Sequence, residues 1–296
     1  MVHKQGVLSD IIRIAEISPG HIGGEFLFSI LHHTPPHLKE RIVEVLSISK
    51  YFLNAKEKER MERMLKEEIG FAVALLEGIE DPALHSRLHE AFNFDFENCK
   101  RRIITIAGLL YNRKIMREAA AAFRNNSKER RANALEIMEQ VIPRKNAQIL
   151  VVLLDNISAG QKVQKLQSFH INRKHEIPDS ILRDGTDIYS AWTVCLALRS
   201  AAYHDSNYIQ AVNILQTEKS LLRESAAHYL INFKENHPNH FSTLAGTFKT
   251  NIDEIMKNKH ENTISDFEKV LVLKGTALFE GTRRTSSLKL FPSFVK

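Results

Sequence analysis

Apolar residues recur at i, i+3, i+4 and i+7 along much of this chain. Ile103, Ile106, Ala107 and Leu110 follow that spacing, as do Ala134, Ile137, Met138 and Val141. The pattern returns at Ala191, Val194, Cys195 and Leu198, at Tyr208, Ala211, Val212 and Leu215, and at Ala226, Tyr229, Leu230 and Phe233. Such spacing lays one apolar stripe along a helix, whereas a half-buried strand would alternate with period two. The pattern predicts an all-α protein.

One kind of helix recurs, with a basic start, an early arginine and small or apolar residues behind it. It runs from Lys128 to Met138 around Arg131 and from Lys219 to Leu230 around Arg223, with a weaker copy from His37 to Leu46 around Arg41. Each copy follows another amphipathic segment, so the predicted unit is a helix pair. Segments 103–112, 114–125 and 128–141 align in length and linker with 191–203, 207–216 and 219–233. Repeated helix pairs predict an α-solenoid of stacked antiparallel pairs, a HEAT-like or armadillo-like superhelix. The expected array spans 1–281 in two halves, 1–156 and 187–281, joined by an irregular segment 157–186, with a loose tail over 282–296.

Local signals place some boundaries. Asn126 or Ser127 is expected to cap the Arg131 helix, Pro36 to occupy a first turn, and Asp81-Pro82 to open a helix. Pro143 marks a turn between helices, and Gly23-Gly24 reads as a link between helices.

Composition supports this picture. The 12 glycines and 8 prolines in 296 residues are below the usual shares of about 7% and 5%, against a turn-rich barrel or sandwich. Two cysteines, Cys99 and Cys195, cannot build a disulfide framework, which points to a reducing cytosol. No apolar run is long enough to span a bilayer or form a signal-peptide core. The net charge of +6 is spread along the chain, with dense points at Lys100-Arg101-Arg102, Lys128 with Arg130 and Arg131, and Arg144-Lys145.

The segment from Arg130 through Lys145, followed by Ile149 to Asp155, resembles the HEAT-like repeats of bacterial fusion proteins. In these a nucleotide-transporter-like membrane domain precedes the repeats, and a cyclic-nucleotide-binding domain sometimes follows. Asn156 to Leu166 resembles the short helix that follows in that family, and Ile188 to Leu198 its next repeat. Ser265 to Gly281 resembles the lead-in to the cyclic-nucleotide domain. The likeness covers roughly residues 92–281. It implies a regulatory or scaffolding module on the cytoplasmic side of a transporter-like protein, acting on a partner protein or an adjacent domain. The sequence departs from the family in two ways: no transporter spans precede the repeats, and 15 residues after Gly281 are too few for a nucleotide-binding barrel. Nucleotide binding is therefore not implied.

Chemistry is sparse. His85 and His89 sit one helical turn apart without a third ligand, and His32, His33, His37, His170 and His175 lie in polar or proline-rich stretches. Asp179, Asp184 and Asp187 do not match a calcium loop and read as helix caps. No phosphate loop, dinucleotide fingerprint or nucleophile elbow occurs. No catalytic residue, metal ligand, cofactor or small-molecule substrate is expected. A basic strip of Arg101, Arg102, Lys128 and Arg130 is the candidate binding surface. Arg41, Arg131 and Arg223 are expected to bridge neighbouring repeats through their planar guanidinium forks, and Trp192 to be buried. The competing expectation is a DNA-binding protein of the alkylation-repair glycosylase type, which would hold a duplex in a basic groove.

Overall fold

A computed structural model describes residues 10–14, 21–31, 34, 36–49, 51–82, 84, 86–123, 127–167, 177–215 and 220–248. The regular elements among them are helices. In chain order, after a helical stretch over 10–14, they are α1 His21–Ile30, α2 Pro36–Ile48, α3 Ala55–Ile79, α4 Ser86–Leu110, α5 Arg113–Phe123, α6 Lys128–Val141 and α7 Arg144–Leu154. After these come α8 Ala159–Lys165, α9 Ile177–Asp184, a 3-10 turn Gly185–Asp187, α10 Ala191–Ser200, α11 Asp205–Leu215, α12 Ser220–Asn236 and α13 Pro238–Phe248. Within each of its compact units most neighbouring helices pack on one another, giving an all-α, solenoid-like fold.

Internal contacts divide the chain into two compact units, one ending at Ala202 and one beginning at Tyr203. The sequence placed the joint within 157–186. That segment instead supplies α8 and α9, which pack on α3 and α10 within the first unit.

In the first unit, α3 and α4 form the principal pair. Asn54 starts α3 with a capping box: its side chain accepts from the Glu57 amide at 3.0 Å, while Glu57 accepts from the Asn54 amide at 2.9 Å. This satisfies two amides that the first helical turn leaves without partners. Met61, Leu65, Ile69, Ala72, Val73 and Leu76 of α3 face Leu88, Phe92, Phe96, Cys99 and Ile103 of α4. The apolar stripe of α4 runs unbroken from Leu88, so the helix expected to begin near Ile103 begins at Ser86. Asp81 and Pro82 lie in the turn before it rather than opening it, with the Leu84 amide donating to the Asp81 carbonyl at 3.1 Å.

Two further contacts draw distant helices onto this pair. Helix α8 packs on α3, and α10 packs on α4. The second contact has a polar pin, since buried Asp95 of α4 accepts from the Thr193 hydroxyl at 2.7 Å and the Ser190 amide at 3.3 Å. Tyr189 stacks beside Phe92 with ring centroids 6.1 Å apart, and Trp192 is buried as expected. Gly23 and Gly24 lie inside α1, not between helices. A Cβ on Gly24 would come within 2.5 Å of the Tyr51 ring, so the glycine permits that close approach.

The second unit has an aromatic core. Phe233 of α12 contacts Tyr203, Tyr208, Tyr229 and Phe241, with centroids 5.2–6.1 Å apart. His240 of α13 pairs with Asp205, at the start of α11, across 2.7 Å.

Candidate docking groove

The predicted basic strip divides once its side chains are placed. Arg102 turns inward. Its Nε donates to Glu68 Oε2 at 3.0 Å, one terminal nitrogen reaches the same oxygen at 2.9 Å, and the other lies 3.8 Å from Glu40. The side chains of Arg102 and Glu68 are only 16% and 17% exposed. This guanidinium therefore joins α4 to α3 and α2, the kind of bridge expected of Arg41, Arg131 and Arg223. Burial opposes its charge, but Glu68, with Cys99 and Glu40, outweighs burial and holds its pKa above the ordinary value. Cys99 completes the cluster by donating to the Glu68 carbonyl and carboxylate at 3.2 and 3.3 Å. Burial pushes that thiol well above its usual range.

Arg101 stays on the surface and hydrogen-bonds Asn98 of its own helix. Lys128 and Arg130 are exposed in the first turn of α6, where the Ser127 hydroxyl accepts from the Arg130 amide at 3.3 Å. Arg41 and Arg131 are half-buried on α2 and α6. Arg223 is half-buried on α12, with its Nε enclosed and without a hydrogen-bond partner among the described residues. Thus Arg102 leaves the predicted strip, and Arg101, Lys128 and Arg130 remain exposed.

Arg130 belongs to a groove between α5 and α6, a trough of about 350 Å³. Ile115, Glu118, Ala119 and Ala122 line one wall, and Arg130, Asn133, Ala134 and Ile137 line the other. Each of these sets has the i, i+3, i+4, i+7 spacing of one helical face, and Ala121 adds to the α5 wall. Small alanine side chains leave the space between the helices unfilled, and Ile137 is 42% exposed. Glu118 and Arg130 are exposed, and neither side chain has a hydrogen bond or ion pair with a described residue. The arrangement can seat apolar side chains on its floor and meet a charge of either sign at its rim. The apolar spacing on α6 signalled the Ile137 stripe in the sequence. What it did not signal was that part of the stripe stays open to solvent.

A second basic region was missed. Arg113 at the start of α5 donates to the carbonyls of Ser49 and Tyr51 and lies over the Phe52 ring at 5.5 Å. Burial, then neighbouring Arg117, lowers its pKa. Beside it, Asn146 of α7 donates to the Tyr111 hydroxyl at 2.7 Å, fixing the start of α7 near the α4–α5 turn. Phe52 and Ile48 are 78% and 74% exposed at this edge.

Lys162 of α8 is also buried, at 5% exposure. Its ammonium donates to the Leu153 carbonyl in the last turn of α7 at 2.8 Å and lies 5.2 Å from the centre of the Phe96 ring. Burial, with Lys100 nearby, lowers its pKa to about 8.

Among the described residues no cluster of three or more His, Cys, Asp or Glu side chains could hold a metal ion, and no helix is long and apolar enough to cross a membrane. His89 is half-buried and approached by Asn93; His32, His33, His85, His170 and His175 lie outside the described residues. So do the 265–281 segment and the 282–296 tail. Comparison with family models, curated proteins and solved structures finds no match to this chain.

Proposed function

We propose that this chain is a non-enzymatic HEAT-like scaffold or regulatory module that docks a protein partner, or an adjacent domain, through the α5–α6 groove. The observation carrying this reading is the open apolar trough with Glu118 and Arg130 on opposite walls, each without a charged partner among the described residues. Other notable polar groups hold helices together: Arg102 with Glu68, Asp95 with Thr193, and Lys162 with Leu153. Stacked helix pairs are stabilised by their neighbours, so an outer face is free to specialise in recognition. The likeness of residues 92–281 to the helical region of transporter-linked fusion proteins supports a cytoplasmic setting beside a membrane protein.

Duplex-DNA binding is the weaker reading. Its proposed strip loses Arg102 to Glu68 and Glu40, leaving Arg101 exposed on α4 and Lys128 and Arg130 exposed beside Glu129 at the start of α6.

Ala122→Trp, which fills the groove, tests the docking reading. Proteins crosslinked to the wild-type chain in native extracts should include a species that the folded variant fails to retain. Identical captured sets from wild type and variant, with no species sensitive to the groove, would refute it. In parallel, salt-dependent retardation of duplex DNA at micromolar protein would favour the DNA reading.

A further inference from the structure

The opposite charges on the groove's walls make it complementary to itself. Glu118 stands on α5 and Arg130 on α6, each exposed and without a charged partner among the described residues. In an isologous contact about a two-fold axis, any pairing made by one protomer is made again by the other. The same surface supplies projections and hollows, with Ile115 and Ile137 at one end of the two walls and alanines behind them. A protein-docking surface with these features can recognise a copy of itself without a second kind of surface.

We propose that the α5–α6 groove binds the same groove of a second copy of this chain. The two-fold contact forms a four-helix layer in which Glu118 of each protomer meets Arg130 of the other. This inference rests on the reading of the groove as a protein-docking face and specifies its occupant. Helices of 11 and 14 residues present faces about 16 and 21 Å long. That places the contact at the small end of specific interfaces, where weak, concentration-dependent association is expected. The apolar floor supplies the area. The paired charges fix the orientation.

Sedimentation velocity of the full chain up to about 200 μM, the concentration range where weak interfaces populate, tests this directly. Wild type should move from monomer toward dimer. Glu118→Arg and Arg130→Glu should each weaken association by at least about tenfold, because each sets like charges against one another. An equimolar mixture of the two variants should associate again, since both contacts then join opposite charges. The double variant Glu118→Arg/Arg130→Glu should recover self-association as well. A strictly monomeric wild type, or a dimer indifferent to both swaps, would overturn the proposal. If Ala122→Trp still releases a captured partner from a monomeric wild type, docking stands and only self-association falls.

Discussion

Lys162 offers the most direct physical test of how the first unit is held together. Its ammonium lies between α7 and α4, donating to the Leu153 carbonyl and facing the Phe96 ring. The contact to Leu153 satisfies a carbonyl in the last helical turn, where positive charge is favoured. Burial nevertheless dominates and brings its pKa from 10.5 to about 8. A difference of that size corresponds to about 3 kcal/mol between the charged and neutral forms. In the folded chain the proton leaves near pH 8, whereas in the unfolded chain it remains until near 10.5. Below pH 8 both states are charged, and the cost of burying that charge is fully present. As pH rises from 8 toward 10.5 the unfolded state binds more protons, so this group's destabilisation is progressively relieved. Lys162→Met keeps the apolar stem and removes the titration. Urea unfolding of both proteins at about pH 7 and about pH 10 should show wild type gaining about 2–3 kcal/mol relative to the variant. At neutral pH the two should differ by less, because losing the bond to Leu153 offsets the relief from burial. Stability curves that stay parallel across this range would refute the assignment.

Other substitutions address the remaining contacts. Glu68→Ala removes the carboxylate that Arg102 bonds directly, leaving Glu40 3.8 Å away, and should cost about 3–5 kcal/mol in chemical denaturation, whereas Arg102→Met with Glu68→Leu should come much closer to wild type; equal losses would contradict the bridge. Gly78→Ala places a Cβ 2.2 Å from the Phe92 ring, so overpacking of about 1–3 kcal/mol should outweigh the helical gain; Gly246→Ala, on open space in α13, should stabilise by up to about 1 kcal/mol. Asp95→Ala should cost about 1–3 kcal/mol by unpairing buried Ser190 and Thr193 groups, while Asp95→Asn should recover most of that loss. Burial, only partly offset by Thr193, Ser190 and Arg102, raises the Asp95 pKa. Its contribution to stability therefore falls as pH rises from the ordinary carboxylate range through the raised value, and Asp95→Asn should remove that dependence from acid-side unfolding curves.

Helix identity was legible because apolar periodicity is a local property. The segments expected at 114–125, 128–141, 191–203 and 207–216 correspond to α5, α6, α10 and α11, and Ser127 caps α6 as one of its two expected residues. Boundaries were less legible where a tertiary contact decides them. Nothing near Asp81-Pro82 reveals that α4 waits until Ser86, since its start follows from the stripe that faces α3. The glycines of α1 look like a linker until Tyr51 is placed against Gly24. The placement of α10 against α4 likewise depends on Asp95 meeting Ser190 and Thr193, nearly a hundred residues later.

Charge shows the limit more sharply. Arg101 and Arg102 are chemically identical neighbours in sequence, yet one bonds Asn98 on the surface and the other is enclosed with Glu68 and Glu40. A helix advances by about 100° per residue, so adjacent arginines cannot share a face. Which one turns inward is settled by the carboxylates that α2 and α3 bring to α4. Arg130 and Arg131 divide in the same way, one exposed on the groove and one half-buried. A basic run on a helix therefore overstates the binding surface, because the turn of the backbone directs successive charges apart. At the α5–α6 groove the charges left exposed and without a partner among the described residues are Glu118 and Arg130, the pair on which the proposed docking depends.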